Sequence, residues 1–296
     1  MTTTLPRVSL VSRTPAAPDP VPPLLFLHGA RHGAWCWERF VGFFADAGFA
    51  CHALDLEGHG AEPRGPRFDR LRVRDHVPRL AEALSQITGA RPPILVAHSM
   101  GGWVAQNLLA SEHAGAIAGA VLVTPVPNRG VPLLTSLKRM VQYPLTFARA
   151  TFLQSVPIRD TRMARRLFHL PDRPEEEVAD SFAKLVPESG LTCLDMVLGL
   201  SWVRPSRMRR VPILVLGAEN DYFFPPECER RLADRLGADY VEFQGLAHNL
   251  MDGRRWDEVA GTIRDWILRV GAVAQEGGYL GMAAGGTVAS GGSAAP

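Results

Sequence analysis

The chain is poor in cysteine: Cys36, Cys51, Cys193 and Cys228 are scattered singly through 296 residues. No CxxC pair or zinc-type spacing joins them, and a chain of this length needs no disulfide staples, so they read as buried thiols in a reducing compartment. Charge of one sign is also scarce. The formal net charge is +2, with acidic and basic residues interspersed, which leaves no cationic stripe for a phosphate backbone and excludes nucleic acid as an expected partner. No apolar run approaches the ~20 residues that span a bilayer, and the stretch MTTTLPRVSLVSRTPAAPDPVPP lacks the basic and apolar blocks of a secretory signal. A soluble, cytoplasmic protein with no membrane partner is expected. There is no G-x-x-x-x-G-K-[ST], no G-x-G-x-x-G opening a helix and no metal-spaced histidine cluster, so no cofactor and no metal are expected.

What is present is apolar substance in alternating periods. At 46% hydrophobic the chain can bury one substantial core, and one catalytic domain with an insertion fits its length. Short apolar runs bounded by turn signals predict strands at Leu24 to Leu27, Ala50 to Leu54, Ile94 to Ala97, Ile117 to Thr124, Pro212 to Leu216 and Asp239 to Phe243. Helical spacing separates them at Trp37 to Ala47, Phe68 to Ile87, through Ala110, at Pro226 to Leu236 and at Arg255 to Val270. Such alternation implies a mostly parallel central sheet flanked by helices. From Pro125 to about Met208 the strand signal vanishes, and four Pro-punctuated helical segments appear instead: Leu133 to Phe152, Thr161 to Leu170, Glu175 to Leu185 and Leu191 to Trp202. The expected layout is an N-terminal extension (1–23), a first core part (24–125), an inserted helical cap (126–208), a second core part (209–270) and a disordered Gly-, Ala- and Ser-rich tail (271–296).

Ser99 falls where a buried strand turns into a helix, among the small residues Ala97, Gly101 and Gly102. Small neighbours let the chain turn tightly enough to lift a hydroxyl above the sheet, as in the G-x-S-x-G nucleophile elbow; here Ala97 stands at the first position. A serine hydroxyl needs a base to take its proton. Of nine histidines, His248 is chosen because it follows the last strand. His52 and His59 lie outside that turn, His98 should point away from Ser99, and His169 sits in the cap, where it could at most touch substrate. Asp221, in the segment after the preceding strand, would orient His248 and stabilise its imidazolium; Glu219 and Asp252 are the rival acids. The oxyanion amides would come from Met100, directly after the nucleophile, and Ala30, after the first core strand.

Together these residues, in the order Ser, Asp, His, resemble the α/β-hydrolase superfamily from Leu24 to Val270, and the α/β-hydrolase fold with a cap is what that resemblance implies. The segment HGARHGAWCW (His28 to Trp37) is similar to the opening loop of the plant methylesterase and hydroxynitrile lyase group and of related bacterial esterases. That likeness implies carboxylic-ester hydrolysis through an acyl-enzyme, with a small-molecule acyl substrate. His32, Trp35 and Trp103 are the candidate substrate contacts, although core packing is the commoner fate of a tryptophan such as Trp35. The lyases of that group carry lysine after the catalytic histidine, where this chain has Asn249, and the dehalogenase and epoxide hydrolase branches use an aspartate nucleophile. Thioesterases, lactonases, C–C hydrolases, acyltransferases and recruited lyases or cyclases remain alternatives on the same triad. The cap should set substrate choice. Its apolar positions Leu133, Leu137, Met140, Phe147, Phe152, Met163, Phe168, Phe182, Met196 and Trp202 either line a pocket or hold the cap to the body. The basic run Arg159 to Arg166 is read as a solvated helix face sooner than a site for an acidic group. A monomer or homodimer is expected.

Overall fold

A strand covered on both faces must be apolar at consecutive positions rather than alternate ones. The sequence meets that demand four times, and these strands form the middle of one seven-stranded sheet. In chain order the strands are β1 (Leu10–Arg13), β2 (Leu24–Leu27), β3 (Cys51–Leu54), β4 (Ile94–His98), β5 (Gly119–Val123), β6 (Ile213–Ala218) and β7 (Asp239–Phe243). Every residue of β2, β4, β5 and β6 is buried. The computed structural model describes residues 8, 10–15, 21–87, 91–131 and 133–276; of the tail expected to be disordered, residues 271–276 instead continue the last helix, and the rest lies outside the described residues from 277 onward.

The strand order is β1-β3-β2-β4-β5-β6-β7. Only β1 runs antiparallel to its neighbour, pairing Leu10 with Leu54. The segment 1–23 is therefore not merely an extension before the core. Three of the four β1 residues are exposed, so this edge strand carries no apolar run that could announce it.

Because successive side chains point to opposite faces, Leu25, Leu27, Leu95 and Val215 enter one apolar layer and Leu24, Phe26, Val96 and Leu216 the other. Helices α2 (Val77–Gln86), α3 (Met100–Leu109) and α9 (Pro226–Leu236) cover the first layer, while α1 (Glu38–Asp46) and α10 (Trp256–Glu276) cover the second. The helical run expected from Phe68 is two short turns followed by α2, which starts one residue before Pro78. Proline is tolerated in a first helical turn but not inside a helix. Among the described residues no helix is long and apolar enough to cross a membrane.

Between β5 and β6 lies the expected insertion: α4 (Leu133–Gln142), α5 (Pro144–Thr151), α6 (Thr161–Phe168), α7 (Glu175–Lys184) and α8 (Gly190–Leu198). The single helix expected from Leu133 to Phe152 is broken at Tyr143 (φ −132°, ψ 62°), because Pro144 bars helical geometry from the residue before it. The last cap helix ends at Leu198 rather than Trp202, where Gly199 turns left-handed at φ 67°. Asp195 pins this helix to the body: its buried carboxylate accepts from Val73 N at 2.8 Å and from Ser201 N at 2.6 Å.

The sheet order reverses beside β2, which pairs with β3 on one side and β4 on the other. In open α/β sheets the crevice beyond the strand C-termini at such a point is where ligands bind. β2 and β4 both end there, at Leu27 and His98, one residue before His28 and Ser99.

Candidate active site

Ser99 joins β4 to α3 at φ 50° and ψ −116°, a backbone state that a side chain disfavours and surrounding contacts must hold. Its N–H donates to Val123 O, and its carbonyl accepts from Gly102 N and Val126 N, all at 3.0 Å. The turn also needs its glycines. A β-carbon on Gly101 would stand 2.4 Å from His28 O, and one on Gly102 would stand 2.7 Å from the Pro125 Cβ. The alanine at position 97 is accommodated within the apolar layer.

His248 leaves the turn after β7, and its Nδ1 donates to Asp221 Oδ2 at 2.7 Å. Both side chains are buried. The other Asp221 oxygen accepts from Phe223 N at 2.6 Å and Phe224 N at 3.0 Å, so the carboxylate cannot swing away. The rival acids have other work. Glu219 accepts from Gly245 N at 2.7 Å, and Asp252 pairs with Arg173 at 2.8 Å.

Two residues that sequence reasoning missed hold His248 from behind: the Thr124 hydroxyl donates to its carbonyl at 2.9 Å, and His98 Nε2 donates to the same oxygen at 3.3 Å. The His98 ring lies 4.8 Å from that of His248 and reaches the cavity wall, contrary to the expectation that it points elsewhere. Burial, helped by His248 and His32, holds His98 well below the ordinary histidine range, so it stays neutral.

Of the expected oxyanion donors, Met100 follows Ser99 directly in the chain and Ala30 shares the cavity wall with it. Met100 opens α3, where an N–H has no acceptor within the helix. Neither its amide nor that of Ala30 meets a protein acceptor among the described residues. His32 fixes the Ala30 loop by donating from Nδ1 to Ala30 O at 2.9 Å while Nε2 accepts from Asn249 at 3.0 Å. Burial is the main reason His32 is held down at about 4, outweighing its bond to Ala30, and leaves the ring neutral as this pattern requires. Arg31, at φ 68°, is clamped from the cap side: its N–H donates to Glu188 at 3.1 Å and its carbonyl accepts from Val186 N at 3.0 Å.

Glu188, like Arg31, was also missed by sequence reasoning. Fully buried beside the first turn of α8, it also accepts from His59 Nε2 at 3.0 Å and Ser189 N at 2.8 Å. Burial opposes its charge, but His59 outweighs it and keeps the carboxyl at about 2. Burial likewise opposes charge on His59, and Glu188 outweighs it there too, raising the imidazole above its ordinary value.

Ser99, His248, Ala30 and His32 share one cavity under the cap. It holds about 140 Å³, close to the engineered cavity of ~150 Å³ that accepts benzene.

Residues 24–262 match the Alpha/beta hydrolase family. The chain belongs to this family. Methyl jasmonate esterase 1 of Vitis vinifera is 40% identical over 79 residues, 26% of this chain and 30% of that protein, so the match spans under a third of its length. Solved structures resemble the chain over far more of it. A thermophilic esterase from Thermogutta terrifontis superposes with a TM-score of 0.68 at 18% identity, covering 89% of this chain and 93% of that one. The enol-lactonase from Burkholderia xenovorans gives 0.66 at 21% identity over 88% and 96%.

Several residues of this hydrolase chosen from sequence lie elsewhere. Trp103 is fully buried in the first apolar layer and is not among the residues of the cavity wall, because its ring is taken up by that core packing. Trp35 stacks behind His32 at 5.4 Å between ring centres and is also absent from the wall. His32 does reach the wall, with both ring nitrogens engaged inward. In the cap, Phe147, Met163, Phe168 and Met196 line the cavity. Leu137, Met140, Phe152 and Trp202 stand exposed, Phe182 packs inside the cap, and the Leu133 side chain lies outside the described residues. His169 bonds to Arg173 and Ser181 away from the wall, and of the basic run Arg165 pairs with Glu175 while Arg166 lies over Tyr222. All four cysteines are free, with Cys193 and Cys228 only half-buried.

Proposed function

We propose that this chain hydrolyses a carboxylic ester through an acyl-enzyme on Ser99. The observation that carries the reading is that a serine held in a strained strand-to-helix turn and a histidine paired to a buried aspartate, His248 to Asp221, open onto one cavity. Ser99 Oγ attacks the ester carbonyl while His248 Nε2 takes its proton, and the Ala30 and Met100 amides receive the developing oxyanion. Asp221 keeps the Nδ1 proton in place and stabilises the imidazolium. His248 then protonates the departing alcohol, deprotonates a water that attacks the acyl carbonyl, and returns a proton to Ser99 as the acid leaves.

Apart from Arg31, the wall is largely apolar and suits a small acyl or aryl group. The esterase names of relatives support ester over other acyl bonds, and Asn249, committed to His32, offers no lysine for cyanohydrin cleavage. Methyl esters of graded acyl length, assayed by acid release for wild type and folded Ser99→Ala, test the reading. Turnover that vanishes with Ser99 upholds it; equal turnover by both proteins, or turnover confined to thioesters or lactones, would refute it.

A further inference from the structure

Among the described residues of the cavity wall Arg31 alone carries a permanent charge, and no Asp, Glu or Lys is among them. Its guanidinium reaches the Cys193 thiol at 3.6 Å, and Cys193 is itself a wall residue. That thiol cannot balance the charge, since burial above all pushes it up to about 11. Among the described residues no carboxylate lies within 4.0 Å of the guanidinium, and its Nε is buried without a hydrogen-bond partner. Glu188 feels the Arg31 charge, but its oxygens are taken by the Arg31 and Ser189 amides and by His59 and make no ion pair with the guanidinium. A half-buried cation with an unpartnered buried donor on an otherwise apolar wall gains when an anion meets it. The clamp at φ 68° fixes the Arg31 backbone one residue beyond Ala30, and the Cys193 contact places its guanidinium on the cavity wall.

We infer that Arg31 is a specificity residue that receives an anionic group on the acyl part of the substrate, so that the cavity takes hemi-esters of short dicarboxylic acids in preference to neutral esters. This rests on the acyl-enzyme reading above. The guanidinium fork matches a carboxylate with two parallel hydrogen bonds, and a cavity close in size to one aromatic ring limits the chain between the two carbonyl carbons to a few methylenes. The carboxylate leads the substrate in and stays on Arg31 while Ser99 attacks the ester at the other end.

The test compares kcat/KM for monomethyl succinate, glutarate and adipate with that for methyl butyrate, pentanoate and hexanoate, in wild type, Arg31→Met and Arg31→Lys. At least one hemi-ester should exceed its neutral counterpart in wild type. Arg31→Met should lower that ratio about 100-fold, the scale of losing one partner of a buried charge pair, and Arg31→Lys should keep part of it. A structural role for Arg31 would slow both substrates together and leave the ratio unmoved, which would overturn the inference, as would a wild-type preference for neutral esters. Calorimetric titration of free adipate separates this from failure of the catalytic reading. Adipate binding that weakens in Arg31→Met supports the anion site even if no ester is turned over, and no binding together with no preference overturns it.

Discussion

The sheet body and the inserted cap bury their side chains to different degrees. In the body, four strands are buried at every position and two apolar layers run unbroken across the sheet. The cap has a cluster of five buried apolar residues, and eight of the ten exposed large apolar side chains among the described residues lie within it, from Leu137 to Trp202. Ser99, Asp221 and His248 all belong to the body, where strained turns can be over-determined by neighbours. The cap contributes wall and clamp. Changes in the body should therefore cost catalysis or stability, whereas changes in the cap should redirect substrate choice.

The largest expected effect is in the body. Ser99→Ala should lower ester kcat by about 10⁴–10⁶-fold and Asp221→Asn by about 10⁴-fold, read by steady-state kinetics on folded protein. Trp103→Ala should cost about 3–5 kcal/mol in denaturant unfolding without shifting chain-length preference, because this side chain fills the layer and not the cavity. Glu188→Ala tests the joint between the two regions. It strips a buried histidine of its partner and should cost about 3–5 kcal/mol. The pair has a pH signature. Glu188, held at about 2, contributes fully above the unfolded value of ~4.3 and loses that contribution as pH falls towards 2. His59, raised, contributes fully below ~6.5 and loses it as pH rises through its folded value. Wild-type stability measured against pH should therefore show both flanks, and Glu188→Ala should flatten them.

In the cap, Phe168→Ala enlarges the cavity wall and should favour longer acyl groups, measured as a shift in the kcat/KM optimum across methyl esters. Asp160→Ala should have the smallest effect. It removes the carboxylate that accepts from Met163 N at 2.7 Å at the start of α6, costing about 1 kcal/mol in thermal unfolding with little change in the optimum.

The same contrast explains what the sequence revealed. Body strands were legible because continuous apolar runs between turn signals have few other uses, and Ser99, Asp221 and His248 were placed by their offsets from those runs. The edge strand β1 was not legible, since its outward residues are polar or exposed. In the cap, helical spacing located the segments but could not say which face met the cavity, so Phe147 and Phe152 looked alike. Glu188, His59, Thr124 and Arg31 come from distant parts of the chain, and only the folded loops bring their charges and carbonyls together.

Ser99 is proposed as an activated nucleophile in a cavity that the cap helps to line. The direct measurement is intact-mass and peptide mass spectrometry after exposure to a fluorophosphonate, with wild type beside Ser99→Ala and His248→Ala. A single adduct on the peptide bearing Ser99, absent from Ser99→Ala and formed far more slowly by His248→Ala, is the expected result. An unlabelled wild type, or an adduct on another residue that persists in Ser99→Ala, would contradict it.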